Sequence, residues 1–295
     1  MRAPKILFGK RDAGWVAMRR HHYRLHRQPR GVTEVSDGPG ASGGSRLLPL
    51  SSAGCEFLLT TILLFSVVTA VRWLRDPSSG AYIASLRPAL AVLACITAVL
   101  LAALILSPLG RHSGGHMNPA VTIAVWLMDV FPGASVVPYV AAQLAGSAAG
   151  VALGRLVWGP PVGTTAIRYA ALGPAPGVDS PAVYLGECGC MIALTVLVGH
   201  FLAYPARNRW LPETIALAVA LIVFLLGPVT GGVVNPARQF GPAAFAGQTT
   251  DLWIYLTAPI AGAVLGAGVH HLLYRRFKTR QPLTYKLAGS RTSSD

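Results

Sequence analysis

Gly114-Gly115-His116-Met117-Asn118-Pro119-Ala120 and Gly231-Gly232-Val233-Val234-Asn235-Pro236-Ala237 are two copies of one pattern, Gly-Gly-x-x-Asn-Pro-Ala. Helix-start chemistry explains each copy. Asn is a favoured N-cap, and Pro is favoured at the first helical position, where its missing N–H would have no partner. Each Asn-Pro-Ala therefore predicts the start of a helix, and the Gly pair before it permits an irregular turn. The apolar stretches that follow, Met117–Trp126 and Val233–Phe245, are too short to cross a bilayer, which takes about 20 residues.

Around these copies lie six longer apolar blocks, at about 52–72, 88–108, 135–157, 182–203, 213–229 and 252–274. Charged residues make up only 12% of the chain, about half the share in a soluble domain, so the composition describes a polytopic membrane protein and excludes an ordinary cytosolic enzyme. Each short segment follows the second span of a three-span group. Glu56 stands in the first span of one group and Glu187 in the first span of the other. An odd number of spans per group inverts the second copy, so the two short segments enter from opposite faces. Irregular backbone at membrane depth is tolerated only inside protein or along a water-filled cavity. Two half-helices would then meet end to end near the midplane, with their positive dipole ends facing one pore. Cations and protons are disfavoured there, while neutral solutes can accept hydrogen bonds from the Asn amides.

The net charge of +14 is concentrated at the chain ends. The domain plan is a basic, mostly disordered arm at 1–50, a channel domain at 51–275 (repeats at about 51–158 and 181–275), and a tail at 276–295. With both termini on the cytoplasmic side, nineteen of the 25 Lys and Arg fall on that side and six on the other, which predicts a multi-pass cell-membrane protein with cytoplasmic termini. The basic ends suit an anionic lipid surface rather than nucleic acid. Cys55, Cys95, Cys188 and Cys190 all lie in apolar blocks and form no Cys-x-x-Cys, so no metal site is expected. No cofactor is implied, and no nucleophile–base set suggests an enzyme.

The paired motifs, the two span-borne glutamates, and Tyr139-x-x-x-Gln143-x-x-Gly146 in span three together resemble the aquaporin (major intrinsic protein) family over about residues 52–274. That resemblance implies an all-α fold of six transmembrane helices and two re-entrant half-helices, assembled as a homotetramer with one pore per subunit. It places Asn118, Pro119, Ala120, Asn235, Pro236 and Ala237 in the pore. It also implies a narrow filter of Ala98, Val223, Gly232 and Arg238: twenty residues before Asn118, twelve and three before Asn235, and three after it. Glu56, Glu187 and His116 are implied as structural supports of the loops. Water-selective members carry bulky Phe and His where Ala98 and Val223 stand, so a wider opening is expected. The Ala, Val, Gly and Arg set resembles the nodulin-like intrinsic proteins of plants and related bacterial channels, which implies water, glycerol and metalloid acids such as boric or arsenous acid as solutes. Gln239 fits neither the Ser of water channels nor the Asp of glycerol channels. The alternatives are a strict water channel, a proton-coupled secondary transporter, which also uses inverted repeats, and a structural membrane protein with a closed pore.

Overall fold

In the computed structural model the described residues are 48–274 and 285–288. The arm expected at 1–50 lies, as far as residue 47, outside them, as do residue 275 and, of the tail expected at 276–295, residues 276–284 and 289–295. Six long apolar helices are present: α1 Leu50–Arg75, α2 Leu86–Leu106, α5 Val136–Trp158, α6 Ser180–Ala203, α7 Leu211–Leu226 and α9 Leu252–Tyr274. Three shorter helices complete the set, α3 Pro108–Ser113, α4 Pro119–Leu127 and α8 Pro236–Ala246. No strand occurs among the described residues. Large apolar side chains such as Val99, Leu156, Leu185 and Leu272 point outward, each at least 71% exposed. Hydrocarbon is the solvent that accepts such a surface.

Two spans end earlier than the sequence expectation, and proline explains both. The second span stops at Leu106 because Pro108 opens a separate helix, α3, with the Ser107 side chain capping the Gly110 N–H at 3.1 Å. The fifth stops at Leu226, not near 229: Gly227 keeps helical backbone as the C-cap, and Pro228 after it has no N–H to donate into a continuing helix.

Small residues let the helices of each repeat approach closely. On α5, Gly146, Gly150 and Gly154 recur every fourth residue and face Phe57, Thr61, Leu64 and Val68 on α1. A Cβ on Gly150 would stand 2.9 Å from the Leu64 side chain and 2.5 Å from the Thr61 carbonyl oxygen. The second repeat does the same with Gly262 and Gly266 of α9 against Cys188, Met191 and Thr195 of α6. Small-x-x-x-small faces are a main source of helix association in lipid, where hydrophobic burial between helices supplies little.

The half-helices are held by the opposite repeat. Helix α4 packs on α9 and α8 packs on α5. At the second contact a Cβ on Gly241 would meet the Ser147 backbone at 2.6 Å. The Ser147 hydroxyl sits in that gap, donating to the Ala237 carbonyl and accepting from the Gly241 N–H at 2.9 Å. This exchange brings the starts of α4 and α8 together.

Candidate functional site

The two Asn-Pro-Ala copies meet through reciprocal hydrogen bonds. Asn118 Nδ2 donates to the Val234 carbonyl at 3.0 Å, and Asn235 Nδ2 donates to the Met117 carbonyl at 2.9 Å. Each Oδ1 caps its own helix, Asn118 accepting from Ala120 N and Asn235 from Ala237 N, both at 2.9 Å. A side-chain amide has two N–H hydrogens. The opposite loop holds one, which fixes the amide plane and leaves the second free to donate.

Both loops are strained and both are tied down by a buried carboxylate. Met117 and Val234, just before the Asn residues, have φ of 49° and 42°. Such values are rare for any side chain and exceptional for a β-branched one. The preceding glycines adopt positive φ as well, at 111° and 70° in the first loop and 98° and 61° in the second. Glu56 accepts from Ser113 Oγ at 2.7 Å, His116 N at 3.0 Å, Met117 N at 2.7 Å and Gln143 Nε2 at 2.8 Å. Glu187 repeats the arrangement, accepting from Thr230 Oγ1 at 2.7 Å, Val233 N at 3.0 Å and Val234 N at 2.7 Å. Both glutamates are fully buried. The span-three motif serves the same loop: Tyr139 Oη donates to the Ser113 carbonyl at 2.7 Å, and Gln143 bridges Glu56 and Thr122. Tyr255 is its counterpart in α9, donating to the Thr230 carbonyl at 2.6 Å. The sequence reading missed this pairing, although Tyr139…Gly146 and Tyr255…Gly262 share one spacing.

A cavity of about 130 Å³ runs along this junction. Asn118, Asn235, Arg238, His116 and Thr97 supply its side-chain polar groups, and Leu63, Leu93, Leu101, Leu172, Leu194, Val219 and Val223 are among its apolar walls. Of the four filter residues expected from the sequence, Val223, Gly232 and Arg238 line it and Ala98 does not. Helical phase explains this. The lining face of α2 carries Leu90, Leu93, Thr97 and Leu101, and each residue turns the helix by about 100°. Ala98 is therefore rotated off the face that Thr97 occupies.

Arg238 is gripped on one side only. Its Nη1 donates to the Ala170 carbonyl at 2.7 Å and, more weakly, to Gln239 Oε1 at 3.4 Å. Its other N–H groups have no hydrogen-bond acceptor among the described residues. The Ala170 carbonyl is aimed by a left-handed turn in which Arg168, Tyr169 and Ala170 have φ of 48°, 53° and 63°. Gln239, 1% exposed, pairs with the Leu172 backbone in both directions, donating to its carbonyl at 2.6 Å and accepting from its N–H at 3.2 Å. The amide that matched no solute class is thus a clamp on the segment that holds Arg238 and turns Leu172 into the cavity wall. Gly232 has no room for a side chain: its φ is 61°, and a Cβ would stand 2.7 Å from the Ile222 carbonyl oxygen. Among the described residues no cluster of His, Cys, Asp and Glu is placed to hold a metal ion.

Residues 47–270 match the family model for the major intrinsic proteins. The chain is 39% identical over 187 residues to a probable aquaporin, AqpM, of Archaeoglobus fulgidus, covering 60% of this chain and 73% of that one. It is 33% identical over 238 residues to a probable aquaporin, NIP7-1, of Arabidopsis thaliana, covering 79% and 80%. Among solved structures, the aquaglyceroporin from Plasmodium falciparum superposes with a TM-score of 0.60 at 20% identity, covering 77% of this chain and 96% of that one. That last likeness is one of fold.

Proposed function

The chain belongs to the major intrinsic protein family, whose members are membrane channels for small solutes, and from that premise we propose that it passes water, glycerol and metalloid acids such as boric and arsenous acid while excluding protons and other ions. The carrying observation is the outer part of the cavity. Arg238 presents free N–H donors there, facing walls of Val223, Leu93, Leu172 and the bare backbone of Gly232. A trihydroxy solute can accept from Arg238, donate to exposed loop carbonyls, and slide its less polar face along the apolar side. Thr97, not Ala98, takes the α2 place in this reading, and its hydroxyl adds one more polar group. Ion exclusion rests on the two helix amino-termini that converge at Asn118 and Asn235, reinforced by the Arg238 charge. Glu56, Glu187 and His116 act as supports of the loops, and the channel works as a homotetramer in the cell membrane.

Gly232 cannot be enlarged without strain, so the test narrows the opening at Val223. Purified wild type and Val223→His are reconstituted in proteoliposomes, and osmotic swelling is followed with water, glycerol and boric acid gradients. The variant is expected to keep water flux and to lose glycerol and boric acid flux by about tenfold or more, the effect of roughly 1.4 kcal/mol added to the barrier. Equal retention of all three fluxes contradicts the assignment of the constriction to Val223.

A further inference from the structure

Arg238 at one mouth is held by a carbonyl from outside the repeats, and the first re-entrant loop is met in the same way by a piece of the chain far beyond the last span. Residues Tyr285–Ala288 lie against Gly114–His116. The Tyr285 carbonyl accepts from His116 Nε2 at 2.9 Å, and Leu287 N donates to the Gly114 carbonyl at 2.9 Å. The Tyr285 ring packs edge-on against Phe131 and His116, with centroids 5.3 and 6.2 Å away. Leu287 is 1% exposed and belongs to the main apolar core. The parallel with the outer segment extends to the glycines: a Cβ on Gly114 would stand 3.1 Å from the Tyr285 ring, and one on Gly231 would stand 3.0 Å from Leu172 Cβ.

Because Nε2 faces a carbonyl it carries a proton, and Nδ1 lies 3.1 Å from Thr122 Oγ1, so the ring is held at both nitrogens. His116 is part of the cavity wall, whereas Tyr285 and Leu287 are not. The segment therefore acts on this cavity through the loop and this ring rather than by lining it. We propose that Tyr285–Ala288 is a strap that latches the first re-entrant loop and positions the His116 ring in the cavity wall, as Ala170–Leu172 positions Arg238 at the other mouth. Without the strap, His116 Nε2 and the Gly114 carbonyl must find water instead. The ring then turns toward the lumen, which obstructs larger solutes more than water.

The flux readout rests on the channel reading; the seating of the strap does not, so two measurements are made on the full-length chain. In a background with the four native cysteines replaced, Leu287→Cys in folded, detergent-solubilised protein is expected to react with a bulky maleimide at least about tenfold more slowly than Gly80→Cys in an exposed turn. Equal rates mean that the strap is not seated and overturn the proposal whatever the flux. In proteoliposomes at matched protein, Leu287→Asp is expected to lower glycerol flux by about threefold or more and water flux less. Adding Leu287→Asp to His116→Ala is expected to change nothing further. Wild-type glycerol flux in Leu287→Asp, or effects of the two substitutions that simply multiply, overturn the positioning role. A wild type that passes no solute fails the channel reading, while the labelling rates still decide the strap.

Discussion

Glu187 offers the sharpest separation of a channel from a proton-coupled transporter. Its carboxylate accepts three hydrogen bonds, from Thr230 Oγ1, Val233 N and Val234 N, at a fully buried site. Glu187→Ala strands these donors. A buried donor left without a partner costs about 1–3 kcal/mol, so the loss is about 3–5 kcal/mol once the loop relaxes. Glu187→Gln keeps one carbonyl oxygen for Thr230 and Val233 and turns an amide against the Val234 N–H, which loses one bond and costs about 1–3 kcal/mol. The strained Val234, with φ of 42°, depends on that bond. Thermal unfolding in detergent should rank wild type above Glu187→Gln and Glu187→Gln above Glu187→Ala. Solute flux through folded Glu187→Gln should persist and should not respond to an imposed pH gradient. A transporter that couples through this carboxyl predicts the opposite pattern: a stable Gln variant that has lost gradient-driven accumulation. Wild-type stability in Glu187→Ala would refute the role of the carboxylate as anchor of the loop.

Replacing Arg238 with Val removes the charge and the donors at the constriction, and cation leak through planar bilayers should rise measurably above the wild-type baseline, while no change would mean the half-helix dipoles suffice alone. Both termini are expected on the cytoplasmic side, so in intact cells Pro176→Cys should react with an impermeant thiol reagent and Arg209→Cys should react only after lysis; the reverse pattern inverts the topology. Gly150→Leu places atoms where the Thr61 carbonyl and Leu64 already lie, and by forcing α1 from α5 it should destabilise the protein by about 1–3 kcal/mol or abolish folding, read as loss of the folded species in size-exclusion chromatography; unchanged unfolding would contradict the close contact.

What the sequence made legible was the part that obeys local rules. N-cap Asn, N1 Pro and paired Gly are chemically obliged at a helix start inside protein, so the two half-helices could be read from seven residues each. The equivalent positions of Glu56 and Glu187 could be read because the repeat supplies its own control. Ala98 was misplaced because counting back twenty residues from Asn118 crosses the break at Ser107–Pro108, where helical phase is lost, and a single-residue offset turns a side chain away from the cavity. The clamp of Gln239 on Leu172 joins residues 67 positions apart, and no periodicity announces it. Arg168–Ala170 adopt left-handed backbone without a glycine, so the turn that aims a carbonyl at Arg238 left no mark in composition. The contact of Tyr285 with His116 spans 169 positions, joining a segment outside the repeat to a loop inside it.

The central claim is that neutral solutes larger than water cross passively while protons do not. The most direct measurement loads wild-type proteoliposomes with a pH-sensitive dye and follows swelling and internal pH together, first under glycerol and boric acid gradients, then under a pH gradient clamped by valinomycin. Protein-dependent swelling with both solutes is predicted, with a glycerol trace that leaves the internal pH flat and a clamped proton leak equal to that of empty vesicles. Swelling with water alone would contradict the wide constriction, and proton entry above the empty-vesicle rate would contradict exclusion by the paired helix ends.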